Sequence, residues 1–325
     1  MPDIILHIGS PKTGTTALQG FLRLNQDALR EQGINFVQAG RSHIAHNALA
    51  TEARQRNAQA TLNVMSQEIE AMPHATHIIS SELLFNPVTA ARLAKVYPKE
   101  LAVRTCVICY LRRQDDFLEV LYKQLLKNGR VEPDRAAFLG GARRRVNYLQ
   151  SLGHYAGIVG PGNLLVRPFD RSRMVGQDII ADFAAQSDLS FSDTLDRPAG
   201  IANKTFSAEM SELLAEHAGQ EGFNPREVIR ALTAGGFPGI VRSGDVFTRA
   251  ERLALMESLA DENEELRRLY MPREDRFFDF SDLREDDGKE DGPGKTNRAS
   301  NIQLSANCLR TVSYTHLTLP TNTVT

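Results

Sequence analysis

Six residues near the start of the chain, Pro11-Lys12-Thr13-Gly14-Thr15-Thr16, combine a cation, three hydroxyls and a glycine directly after the apolar run Ile4-Ile5-Leu6-His7-Ile8-Gly9. A strand that enters such a turn and leaves as a helix places several backbone N–H groups at the positive end of a helix dipole, where phosphate binds. Gly9 and Gly14 stand at the spacing of the two glycines of a Walker A loop, but Thr15 takes the position of that loop's lysine, and Lys12 lies between the glycines instead. The stretch therefore suits an anion while disfavouring an ordinary ATPase geometry. Its bland reading is a surface turn that starts a helix, with Thr as N-cap. Capping alone, however, has no use for Pro, Lys and Gly together.

Two further segments carry compatible chemistry. Thr76-His77-Ile78-Ile79-Ser80 reads as a strand and leads into Ser81-Glu82, and the run from Val103 to Leu111 leads into Arg112-Arg113. Ligands of open parallel sheets gather beyond the carboxyl ends of the strands. A cationic loop, an acid and a second cationic loop meeting there would suit transfer of a charged group from a phosphate-bearing donor to a hydroxyl or amine. The alternatives are a solvated basic pair for Arg112 and Arg113, and ordinary helix N-terminal charge for Glu82. His43 and His46 are rival bases or acceptor contacts, or else surface histidines of a polar helix.

The elements that must position these groups follow from periodicity. Thr15 to Glu31 places Ala17, Leu18, Phe21, Leu22, Ala28 and Leu29 on one helical stripe that stops at Gly33. Ile34 to Val37 is a short strand, Ser42 to Met72 is mostly helical, and Pro87 to Tyr97 is a further helix. Helices are also predicted from Asp116 to Lys127 and from Pro133 to Leu152, then a strand from Asn163 to Phe169, and a mostly helical stretch from Gly176 to Tyr270. Near-continuous β-branched strands alternating with helices imply an α/β fold in three layers, a central mainly parallel sheet with helices on both faces and a largely helical C-terminal half. Cys106 and Cys109 are spaced C-x-x-C, but positions three apart in a strand face opposite ways, so two core thiols are expected rather than a metal or redox pair.

The chain has 325 residues, 42% of them hydrophobic, and 38 basic against 40 acidic residues leave a formal charge of −2. That balance gives no general argument for nucleic acid or a membrane surface as partner, so any anion site must be local. Met1-Pro2-Asp3 leads directly into the first strand and no apolar run is long enough to span a bilayer, so a cytoplasmic protein is expected. One domain is expected over residues 1–283. Residues 284–312 are dense in charge, Gly and Pro and read as a tail without a core. Residues 313–325 include Ser313-Tyr314-Thr315-His316-Leu317-Thr318-Leu319-Pro320-Thr321, which resembles the in-frame translation of a transposase adapter used in sequencing libraries.

Pro11-Lys12-Thr13-Gly14-Thr15-Thr16 resembles the 5′-phosphosulfate loop of the sulfotransferases, and Arg112 with Asp116 four residues on is similar to that family's second nucleotide element. Val120 stands where the family has a Ser that helps hold the donor's 3′-phosphate. Leu165 to Asp170 and Arg242 to Thr248 look like later segments of bacterial sulfotransferases, the second near the loop that covers the nucleotide. The resemblance runs from Ile4 to about Asp282 and implies a P-loop-like fold with 3′-phosphoadenosine 5′-phosphosulfate (PAPS) as co-substrate and no metal. It assigns Pro11 to Thr16, Arg112, Arg242 and Gly244 to the nucleotide. Lys12 would neutralise the leaving phosphate, and Glu82, standing where relatives carry a His or Glu, would be the base. The acceptor it implies is a small molecule, a carbohydrate or a lipid, and the oligomeric state stays open. A P-loop kinase or NTPase, or a catalytically decayed nucleotide-binding module, are the rival readings.

Overall fold

The structure is a computed structural model, and it describes residues 2–55, 57–128, 135–198, 211, 214, 217, 224–234 and 246–284. The chain divides into two compact units, one formed by Met1–Arg113, Asn147–Ile201 and Ala260–Phe278, the other by Gln114–Val146, Ala202–Leu259 and Asp279–Thr325.

The first unit contains the sheet. Strands β1 (Ile4–Gly9), β2 (Ile34–Phe36), β3 (Thr76–Ser80), β4 (Thr105–Leu111) and β5 (Leu164–Pro168) lie in the order β2-β3-β1-β4-β5, and every neighbouring pair is parallel. All six residues of β1 are buried, as a central parallel strand with both faces covered requires. The chain crosses β1 when it passes from β3 to β4, so the carboxyl ends of these three strands surround one switch point. The register pairs His7 with Ser80 and Gly9 with Tyr110, which brings the loops after β1, β3 and β4 side by side.

Helix α1 (Thr15–Leu24) follows β1 and α2 (Gln26–Glu31) follows α1. The single helix expected over Thr15 to Glu31 is thus broken at Asn25. There the side chain leaves helical duty, donating to the carbonyls of Phe21 and Asp196, both at 2.9 Å, and accepting from the Asp196 N–H. Helices α3 (Asn47–Gln55) and α4 (Gln59–Glu70) precede β3. After β3 comes a single 3₁₀ turn, Glu82–Phe85, then α5 (Pro87–Val96), whose N-cap Asn86 accepts from the N–H groups of Val88 and Thr89, and the short α6 (Lys99–Ala102). Leu18, Phe21 and Leu22 of α1 pack with Ile5, Ile78, Ile108 and Tyr110 on one sheet face, together with Ile179, Ile180 and Phe183 of a later helix. On the other face a later helix, Tyr148–Val159, lies against α5, β4 and β5.

Between Arg113 and Asn147 the chain belongs to the second unit, with α7 (Gln114–Lys127), α8 (Arg135–Gly140) and α9 (Ala142–Arg145). The helix expected from Pro133 to Leu152 is therefore three pieces, the last being α10 (Tyr148–Val159), where Asn147 caps the new start by accepting from the Gln150 N–H. After β5, α11 (Ile179–Gln186) returns to the first unit. Further helices span Pro225–Ala234, Arg249–Ser258 and Ala260–Tyr270. The expected α/β architecture with a parallel sheet is the one observed. No helix among the described residues is long and apolar enough to cross a membrane. Of the tail expected from residue 284, only Arg284 is described, and residues 285–325 lie outside the described residues.

Candidate active site

The loop after β1 is an anion cradle by geometry. Lys12 has φ 67° and Gly14 has φ 71°, while Thr13 between them stays on the ordinary negative side. Alternating hands at successive residues turn consecutive N–H groups toward one side, the arrangement of an anion-binding nest. Gly14 is the N-cap of α1 and provides no side-chain cap, and the N–H groups of residues 12–16 make no hydrogen bond among the described residues. The first turn of α1 contains no acidic residue. A row of amides at the positive end of a ten-residue helix is ready for an anion.

Both glycines are needed. A Cβ on Gly9 would come within 2.8 Å of the Tyr110 carbonyl and 2.9 Å of the Thr13 hydroxyl. One on Gly14 would meet Phe169 at 3.2 Å and Ile179 at 3.3 Å, besides forcing an L side chain into the left-handed region. The loop is also cross-linked from within, since the Thr13 hydroxyl donates to the Ser10 carbonyl at 2.8 Å.

Two neighbouring strands bring their groups to this loop. From β4, the Arg112 N–H donates to the Ser10 hydroxyl oxygen at 2.7 Å and its Nη1 donates to the Lys12 carbonyl at 2.8 Å. The guanidinium is thereby tied to the cradle, with Arg113 half-buried beside it. From β3, Glu82 accepts a hydrogen bond from the Thr15 hydroxyl at 3.0 Å. One turn further along the same face of α1, the buried Gln19 donates to the Ser80 hydroxyl at 3.0 Å. Thr15 and Gln19 therefore pin the end of β3 at two points, four residues apart as helical period demands. The structure brings Lys12, Glu82 and Arg112 together through Thr15, Ser10 and the loop backbone.

The histidines are placed otherwise. His46 is buried, its Nδ1 accepts from the Ser80 N–H at 3.0 Å, and its Nε2 faces the Val37 carbonyl at 2.9 Å. With both nitrogens spent on backbone it ties the segment after β2 to the end of β3, and burial depresses its pKa to about 4. This placement speaks against a role as rival base. His43 is exposed in the turn from Ser42 to Ala45, at φ 58°. Arg242 and Gly244 lie outside the described residues. Asp116, expected to accompany Arg112, is in the second unit, where it pairs with Arg252 at 3.1 Å. Val120 is half-buried on α7. Cys109 is buried and Cys106 partly so, and burial pushes both thiols up.

Sequence reading missed Ser10, Gln19 and His7. Gln19 could have been found, because it lies one turn after Thr15 on a helix already recognised. His7, in the middle of an apolar strand, gave no sign of its role. Its Nδ1 lies 2.8 Å from the Ser80 hydroxyl, which also accepts from Gln19, and its ring meets Tyr110 and Phe183 edge-on. Burial holds the His7 pKa at about 3.

Two neutral buried histidines predict a pH response. An unfolded histidine titrates near 6.5, so below that pH the unfolded chain takes up protons that folded His7 and His46 refuse. Their contribution to stability is complete above about pH 6.5 and declines as pH falls toward their folded values, by up to ~1.4 kcal/mol per pH unit for each. Urea midpoints at pH 7 and pH 5 should differ accordingly, and equal midpoints would contradict the placement of both rings.

No protein-family model and no curated protein matches the chain. Among solved structures it is similar to a sulfotransferase domain from the curacin biosynthetic pathway, at 14% identity and TM-score 0.38 over 80% of this chain and 98% of that one. It is likewise similar to a sulfotransferase from Alicyclobacillus acidocaldarius, at 15% identity and TM-score 0.39 over 88% of this chain and 99% of that one.

Proposed function

We propose that the chain is a sulfotransferase that moves the sulfuryl group of PAPS to a hydroxyl or amine. The observation that carries this reading is the Thr15–Glu82 hydrogen bond, which sets a carboxylate beside a row of loop amides that make no hydrogen bond among the described residues. The resemblance of Pro11 to Thr16 to a 5′-phosphosulfate loop supports the choice of donor, because a lysine inside the loop replaces the lysine that a nucleoside triphosphate loop carries after its second glycine. In this reading the N–H groups from Thr13 to Thr16 bind the donor's 5′-phosphate, and Arg112 binds its 3′-phosphate. Glu82 takes the acceptor's proton while the acceptor oxygen or nitrogen bonds to sulfur and the bond from sulfur to the phosphate oxygen breaks. Lys12, exposed on the cradle, offsets the charge that builds on that leaving oxygen. The acceptor is a small molecule, a carbohydrate or a lipid, and the site of action is the cytoplasm.

Thermal denaturation tests the donor. A ligand that binds only the folded state at a hundred times its Kd stabilises by about 2.7 kcal/mol, so 3′-phosphoadenosine 5′-phosphate should raise the melting temperature while ATP with Mg²⁺ should not. A shift with ATP and Mg²⁺ alone would replace this reading with a kinase or NTPase.

A further inference from the structure

Helix α10 contributes no residue to the three loops of the candidate site, yet it is bonded to the segments after β3 and β4. The Tyr148 hydroxyl donates to the carbonyl of Arg112 at 2.9 Å, and the Tyr155 hydroxyl donates to the carbonyl of Leu84 at 2.7 Å. Seven residues apart, the two side chains lie on one helix face two turns from each other. Leu84 belongs to the turn Glu82–Phe85, so one hydroxyl holds the residue that ends at the donor side of the site and the other holds the turn that bears the acid. The Tyr148 ring also meets Phe85 edge-on, with centroids 5.6 Å apart.

Packing alone does not explain these residues. Both rings are buried, and phenylalanine would fill the same space; what the hydroxyls add is a donor for two carbonyls at the ends of separate segments. Burial pushes the Tyr155 hydroxyl up, so it stays protonated and able to donate. The helix is itself anchored, by the Asn147 cap and by Glu262, whose carboxylate accepts from the Tyr148 N–H at 2.8 Å. From this geometry we infer that Tyr148 and Tyr155 are positioning residues, which tie the Arg112 segment and the Glu82 turn to one rigid helix and so set the spacing between the donor's binding groups and the base. The inference rests on the proposed roles of Arg112 and Glu82.

Tyr148→Phe and Tyr155→Phe test it by splitting the kinetic parameters. Tyr148→Phe should weaken 3′-phosphoadenosine 5′-phosphate binding about fivefold, with the loss mainly in Kd and donor KM. Tyr155→Phe should lower kcat about tenfold or more, with Kd for the same nucleotide within about twofold of wild type. If both variants shift the same parameter, or lose activity only in proportion to their folded fraction, the two tyrosines are structural and the inference is wrong. If Tyr155→Phe does not fold, Tyr148→Phe decides alone, and an unchanged Kd overturns the inference. If wild type neither binds the nucleotide nor turns over the donor, the proposed function fails instead, and hydrogen exchange then reads the ties directly. Faster exchange at amides 83–86 in Tyr155→Phe but not in Tyr148→Phe supports them, and indistinguishable exchange removes them.

Discussion

Glu82→Gln should lower kcat by about 10²- to 10⁴-fold, the range that a positioned general base contributes, and leave the affinity for 3′-phosphoadenosine 5′-phosphate nearly unchanged. Glutamine keeps the length of the side chain and one carbonyl oxygen able to accept from the Thr15 hydroxyl, so the turn and the cradle should stay in place. What it loses is the capacity to take a proton. Release of the adenosine product from labelled donor, measured over a panel of hydroxyl and amine acceptors, reads the first quantity, and equilibrium titration reads the second. A variant that turns over as fast as wild type would remove Glu82 as the base. A variant that has lost nucleotide binding as well would instead make Glu82 part of the cradle's architecture.

The second large effect is on stability, and it lies in the second unit. Arg252 is 5% exposed and its Nη1 reaches Asp115 at 2.8 Å and Asp116 at 3.1 Å, while Nη2 binds Glu119. Glu119 is shared with Lys123 at 2.7 Å and accepts from the Val246 N–H at 3.1 Å. Among the described residues, Asp115, Asp116 and Glu119 face Arg252 and Lys123 in this cluster. Arg252 bridges all three acids, so Arg252→Ala should destabilise by about 3–5 kcal/mol, the cost of breaking a buried ion network from one side. Arg252→Lys should rescue only part of this, because one ammonium cannot reproduce a planar fork that contacts three carboxylates. Urea denaturation followed by far-UV circular dichroism measures both. If Arg252→Ala lost less than about 1 kcal/mol, the cluster would have to be as wet as a surface ion pair.

Much of the site was legible because its signals are local. The apolar run Ile4 to Gly9, the turn with Lys12 and Gly14 and the helix that follows declare a strand, an anion loop and a helix start within twenty residues. Helical and strand period likewise carried the parallel sheet, since a fully buried strand has to be apolar on both faces. Local period says less about where a helix breaks. Asn25 ends α1 because Asp196, distant in the chain, supplies the backbone groups that its amide bonds.

His46 shows the same limit in a candidate site residue. In the sequence it is a histidine in a polar segment. Folding buries it between the Ser80 N–H and the Val37 carbonyl, so both nitrogens serve the backbone. Ser10, Gln19, Tyr148 and Tyr155 are of ordinary type and spacing, and acquire their roles only from what the sheet order sets beside them. The chemistry on offer is written along the chain: a loop with a lysine and a glycine, an acid after β3 and an arginine after β4. That Thr15 meets Glu82 and Lys12 meets Arg112 comes from folding alone. The reason is physical, for hydrogen bonds between segments about seventy to a hundred residues apart depend on strand order and register, which no local propensity encodes.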